Sequence, residues 1–193
     1  MKQNCNGLAI PSHTVGYIHG LSILKHESFF KLVTSKSERD DRPSSVIYTY
    51  PCNDCTSWAS KIDNNYGQFV QFEFNSSIHA THYSFKSFSS TIYPKCWNVS
   101  SSLDGIDWIL QDNHINDDVL SCGGELIFSL RIPGYYKYFR LTNTGMSSYE
   151  PSPTQLYVSR FDIHNIYSTL KYTCDKSKNY DYFKFSFLII LSK

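Results

Sequence analysis

Polar residues punctuated by Gly7 and Pro11 fill the first fifteen positions of the chain, and a periodic pattern begins only at Gly16. Ile18, Leu21, Leu24 and Phe29 recur at roughly helical intervals, which predicts a short helix or irregular entry segment over 16–30. Beyond it the period shortens to two. An apolar run at 29–33 is followed by a charged loop over 36–45 and a second run at 46–50. Within 68–74, Val70, Phe72 and Phe74 fall on one face and Gln71 and Glu73 on the other, as in a half-buried strand. The alternation repeats over 82–88 with Tyr83 and Phe85, over 95–103 with Trp97 and Val99, and over 106–111 with Ile106, Trp108 and Leu110. Runs at 126–130, 138–142 and 156–166 bring the total to eight or nine strands. In the last of them Phe161 and Ile163 alternate against Arg160, Asp162 and His164, so Glu73 and Asp162 are expected on solvated strand faces. Asp104-Gly105, between two strands, is a residue pair suited to a tight type I′ hairpin because both can adopt positive φ. Parity assigns Trp97 and Trp108 to the core. Strands without strong intervening helices predict an all-β sandwich or barrel, with a two-sheet jelly roll preferred.

Composition agrees with that pattern. Of 193 residues 28 are Ser and only 3 are Ala, while 15 Tyr, 13 Phe and 3 Trp supply strand formers in abundance. The length is that of about one domain. With 18 Lys+Arg against 17 Asp+Glu, the chain lacks the basic excess of a general nucleic-acid binder. Six scattered cysteines and an N-terminal stretch with no apolar core of a secretion signal read as reduced thiols in a cytoplasmic protein. The apolar run at 183–191 contains Lys184 and is shorter than a membrane span, leaving 171–193 as a tail without an assigned role.

Several segments, taken together and in order, resemble the discoidin (factor V/VIII type C) family of galactose-binding-like domains. The most specific are Thr81–Ser87 (THYSFKS), then Tyr93–Val99 (YPKCWNV), then Ser102–Trp108 (SLDGIDW). Thr56–Ser60, Tyr138–Gly145 and Ser159–Asn165 flank them, and the likeness spans about 16–170, with 1–15 as a lead-in. Its nearest likeness is to the intracellular branch found in protist proteins and beside BTB domains. Cys96, Leu103 and Asn165 depart from the family's usual Ser, Asn and Gly at those places. The resemblance implies an eight-stranded galactose-binding-like jelly-roll β-sandwich with adjacent termini and ligands bound by loops at one end. Family members bind sugars, anionic phospholipids, peptides or proteins, so the fold alone does not name the ligand.

The candidate chemistry is correspondingly modest. Cys52-x2-Cys55 and His79-x2-His82 are too far apart for a zinc finger, and no nucleophile elbow, phosphate loop or HExxH motif marks an enzyme. No cofactor is expected. Some relatives hold a structural calcium, toward which Asp40, Asp41 or Asp63 could contribute, but no spaced oxygen-ligand motif accompanies them and no metal is expected. Three loops are candidates for recognition: 36–45 with Arg39 and Arg42, 89–94 with Ile92 and Tyr93, and 145–154 with Met146 and Tyr149. Trp58, after a polar loop, is a further candidate for stacking on a sugar, and an aromatic beside an Arg suits a sugar or a peptide. The expected function is a non-catalytic recognition module binding a protein or peptide partner through these loops. The alternative is a lectin-like carbohydrate-binding module. A net charge of +1 weighs against a membrane surface, and nucleic acid is not an expected partner.

Overall fold

The computed structural model describes residues 29–35, 58–62 and 65–165. They form eight strands: β1 (Phe30–Thr34), β2 (Trp58–Ala59), β3 (Phe69–Lys86), β4 (Trp97–Ser102), β5 (Ile109–His114), β6 (Leu126–Asn143), β7 (Tyr157–Val158) and β8 (Arg160–His164). A 3-10 turn, Val119–Cys122, precedes β6, and no α-helix occurs among the described residues. The helix expected over 16–30 and the strand expected at 46–50 lie outside them, apart from Phe29 and Phe30 at the end of the former, of which Phe30 opens β1.

Strands β3 and β6 are each 18 residues long and pair antiparallel along most of their length. The first half of β3 and the second half of β6 build one layer, in the order β1-β3-β6-β4-β5. Their other halves, with β8 against residues 82–86 of β3, build the second layer. The expected separate strands 68–74 and 82–88 are thus one strand, as are 126–130 and 138–142. Asn75-Ser76-Ser77 and Pro133-Gly134 interrupt the apolar pattern without ending the ladder, which shifts register between Glu73 and Ile78 and again between Ala80 and His82. Such bulges bend a strand from one sheet to the next, and Pro is tolerated in them because the missing N–H has no partner to lose.

Aromatic rings fill the space between the layers. Phe72 stacks on Phe161 at 5.4 Å, Phe85 meets Trp97 edge-on at 5.6 Å, and Tyr83 stacks on Phe128 at 5.0 Å. Trp97 is completely buried, as its parity predicted. Trp108 is not in the core. The link between β4 and β5 is six residues rather than a two-residue hairpin: Asp104 Oδ1 accepts from the N–H groups of Ile106 at 2.8 Å and Asp107 at 2.9 Å, and only Gly105 takes positive φ, 79°. Those same hydrogen bonds hold the Asp104 carboxyl below its ordinary pKa. The longer loop puts the Trp108 side chain on the outer face. There the Arg140 guanidinium lies 4.2 Å from its ring centroid and Nε1 donates to Gly105 O at 3.1 Å. Asp162 also departs from expectation. It is buried, together with Ser84 and His164 on the same outward face of the second layer, because parity states which way a side chain points and not whether that face is covered.

Trp97→Ala should cost roughly 3–5 kcal/mol as a large-to-small core change, and Trp108→Ala clearly less. Urea unfolding of both variants checks the assignment, and equal losses would contradict it. Gly105→Val should also destabilise, because it forces a branched side chain into positive φ and its Cβ would lie 3.3 Å from the Tyr138 ring.

Candidate functional site

The ribbon bends at Asn75–Ala80 and Arg131–Tyr136, so the opposite ends of all the long strands gather at the other end of the sandwich. The described stretches that project there are 58–62, 65–68, 87–96, 115–125 and 144–156. The segment 87–96 is central and is fastened on both sides. Toward 144–156, Ser148 N donates to Tyr93 O at 2.8 Å, Tyr93 N donates to Ser148 Oγ at 2.9 Å, and Ser148 Oγ donates to Thr91 O at 2.9 Å. Pro94 and Ser147 form a β-bridge, and Lys95 N donates to Met146 O at 3.0 Å. Toward 115–125, Tyr93 Oη donates to Asp118 Oδ1 at 2.9 Å, Lys95 Nζ sits 3.2 Å from the same oxygen, and Asp117 N donates to Lys95 O at 2.8 Å. Burial first, then the Asp118 hydrogen bond and charge, push the Tyr93 hydroxyl up to about 12, so it stays a neutral donor. Tyr93 and Lys95 hold Asp118 below its ordinary value.

The remaining loop is held by amide side chains. Asn143 Nδ2 donates to Thr154 O at 2.7 Å, Gln155 Nε2 to Ser60 O at 2.8 Å, and Ser60 N to Leu156 O at 3.0 Å. Asn143 and Gln155 are buried, where such groups must be paired.

The sequence-predicted residues divide sharply. Trp58 is 2% exposed and Tyr93 8%, so neither offers a ring face at the surface; both support the loops from beneath. Ile92 is half-buried. Tyr149 is 37% exposed, its ring edge-on to Tyr157 at 6.2 Å, and Met146 on the same loop is 55% exposed. Arg39, Arg42, Asp40, Asp41 and Asp63 lie outside the described residues, as do Cys52 and Cys55. Of the two histidines weighed and set aside as zinc ligands, His79 lies against Asn165 and Tyr135 while His82 turns to Thr81. Among the described residues no group of three or more His, Cys, Asp or Glu is placed to hold a metal ion. The sequence reading missed Phe88, 44% exposed, although a signal was present: Tyr83, Phe85 and Ser87 are the inward set, and Phe88 is an aromatic out of phase with it. It also missed Ser148, an ordinary serine in a chain of many.

The reading of the cysteines as reduced thiols needs correction. Cys96 is free, but Cys122 is disulfide-bonded.

Stability should separate support from surface. Tyr93→Ala should cost about 3 kcal/mol or more, since it opens a cavity and strands the Asp118 contact. Tyr149→Ala and Phe88→Ala should stay within about 1 kcal/mol. Thermal melts of the three variants test this.

No protein-family model matches the chain, and no curated protein does. Solved structures do. A Clostridium perfringens family 32 carbohydrate-binding module, in complex with GalNAc-β-1,3-galactose, superposes with a TM-score of 0.54 at 12% identity, over 70% of this chain and 95% of that one. The family 32 module of AlyQ, in complex with 4,5-unsaturated mannuronic acid, gives a TM-score of 0.56 at 15% identity over 70% and 95%. Chitosan-binding module 1 from a Paenibacillus sp. IK-5 chitosanase/glucanase gives 0.54 at 17% over 70% and 94%. With the sheet order and aromatic core described above, these matches establish that the chain has the galactose-binding-like, discoidin-like β-sandwich fold of family 32 carbohydrate-binding modules.

Proposed function

We infer that this chain is a non-catalytic module that binds carbohydrate at its loop end. The observation that carries the reading is the pair of exposed aromatics, Phe88 and Tyr149, on loops laced to one another through Ser148 and set among short polar residues. A sugar needs a ring for its C–H face and nearby hydroxyls, amides or carbonyls for its own hydroxyls. The glycans bound by modules of the same fold support this lectin-like alternative over the protein or peptide partner that sequence reading placed first. Arg39 and Arg42, which lie outside the described residues, remain proposed contributors. Placement in the intracellular branch of the discoidin family rests on the sequence motifs alone. The cytoplasmic location was expected from an N-terminal stretch with no apolar core of a secretion signal; it stays a proposal, against which the disulfide at Cys122 weighs.

A glycan array probed with the purified chain tests the reading. Binding to a defined sugar should fall about tenfold or more in Phe88→Ala or Tyr149→Ala, with the melting temperature unchanged, as truncation of a binding hot spot does. An array without hits, or hits indifferent to both substitutions, would sink it.

A further inference from the structure

Beneath the loop end, His114 at the close of β5 lies between two carboxylates. Its Nδ1 is 2.7 Å from Asp117 Oδ2 in the following loop, and its Nε2 is 3.0 Å from Asp112 Oδ2 on its own strand. The imidazole stacks on Trp97 of β4 with centroids 3.9 Å apart and planes 7° from parallel, while Phe128 of β6 meets it edge-on at 5.1 Å. From β3, Tyr83 Oη donates to the same Asp112 oxygen at 2.7 Å. Among the described residues, those two carboxylates and that phenol are the titratable groups around the ring, and Trp97 of β4 and Phe128 of β6 offer it aromatic surface.

The two carboxylates differ in what else holds them. Asp112 is fixed in the β4–β5 ladder, opposite Val99, and by Tyr83. Asp117 belongs to the loop: its Oδ1 accepts from Val119 N at 2.9 Å at the start of the 3-10 turn, and its N–H donates to Lys95 O. The next residue, Asp118, holds Tyr93 and Lys95. His114 therefore ties the sheet to the segment that buttresses the centre of the loop end.

We propose that His114 is a pH-dependent latch, closed when the imidazole is protonated and donates to both carboxylates, and released when deprotonation leaves it a single N–H. The loop yields rather than the strand, because Asp112 keeps Tyr83 and its ladder partners while Asp117 loses its hold on the sheet. Burial alone would lower the pKa of His114, but the hydrogen bonds to Asp112 and Asp117, with their charges, outweigh it and raise the pKa above the ordinary value. A raised pKa in the folded state means that the stabilisation is complete below the ordinary histidine range and is lost as pH rises through the folded value. The latch concerns the wall of the site proposed above, and its effect on ligand rests on that reading.

Amide hydrogen exchange, measured without ligand from about pH 5 to about pH 9 and expressed as protection factors, reads the latch directly, since histidine titrates within that range. Protection at Asp117, Val119 and Ser121 should fall severalfold with a midpoint that follows the His114 ring titration by NMR, while Val99 and Leu141 in the sheet do not change. In His114→Gln the loop protection should no longer depend on pH. Asp117→Asn, which keeps an acceptor for Val119, should behave in the same way and serves if the first variant folds poorly. A flat wild-type profile, or the same pH response in both variants, would overturn the latch. Because no sugar is present, that result would leave the carbohydrate reading untouched, and a failed glycan array would leave the latch untouched.

Discussion

The pairing of β3 with β6 is the constraint on which the rest of the molecule depends. Each strand passes through both layers, so the two sheets cannot slide or rotate independently: β1, β4 and β5 attach to one half of the ribbon and β8 to the other. The bend requires irregular backbone, which Asn75-Ser76-Ser77 and Pro133-Gly134 supply, and close approach, which the Ala80–Gly134 pair supplies. All partners in this ribbon are distant in sequence, so little of the structure can form before the ribbon does. In return every loop at the far end starts from a strand end held in one common frame.

The serine content, first read only as a sign of β structure, takes on a more specific role at that end. Loop backbone without sheet partners must find hydrogen bonds elsewhere. Ser148 serves Thr91 and Tyr93, Ser89 Oγ accepts from Thr91 N and Ile92 N, and Ser147 Oγ donates to Ser152 O. Short hydroxyl side chains bond backbone locally at small entropic cost, so a loop can be rigid without a large core of its own. Tyr93 adds a large anchor, buried as a ring and fastened as a phenol.

The inward faces of β3, β4 and β8 were legible in the sequence because a half-buried strand must alternate, and Val70, Phe72, Trp97, Val99, Phe161 and Ile163 do. Three features were not legible, each for a physical reason. Bulged strands look like two strands, since a bulge inserts residues that break the period without breaking the ladder. Trp108 changed face because the loop before it is longer than the shortest turn its Asp-Gly pair permits. Asp162 lies on an outward face that is nonetheless buried, and coverage is a property of what packs on a sheet, not of the strand itself. The site was half legible. Loop positions follow from strand ends, and the loops 89–94 and 145–154 do meet, but an aromatic in a loop can be a support or a surface. Tyr93 and Tyr149 show both outcomes on adjoining segments.

That division bears on what the loop end can bind. A protein partner of ordinary affinity covers about 800 Å² on each side and favours a contiguous apolar centre. Here the exposed rings are set singly among polar residues: Phe88 between Ser87 and Ser89, and Tyr149 between Ser148 and Glu150. Such a mixture suits the carbohydrate proposed above, which alternates C–H faces with hydroxyls at the scale of one or two rings. The affinity of so small a contact depends on avoiding the entropic cost of ordering the loops at the moment of binding. Loops already fixed by Ser148, Tyr93, Asn143 and Gln155 have met that cost during folding, which is the condition under which a few polar groups and two rings suffice.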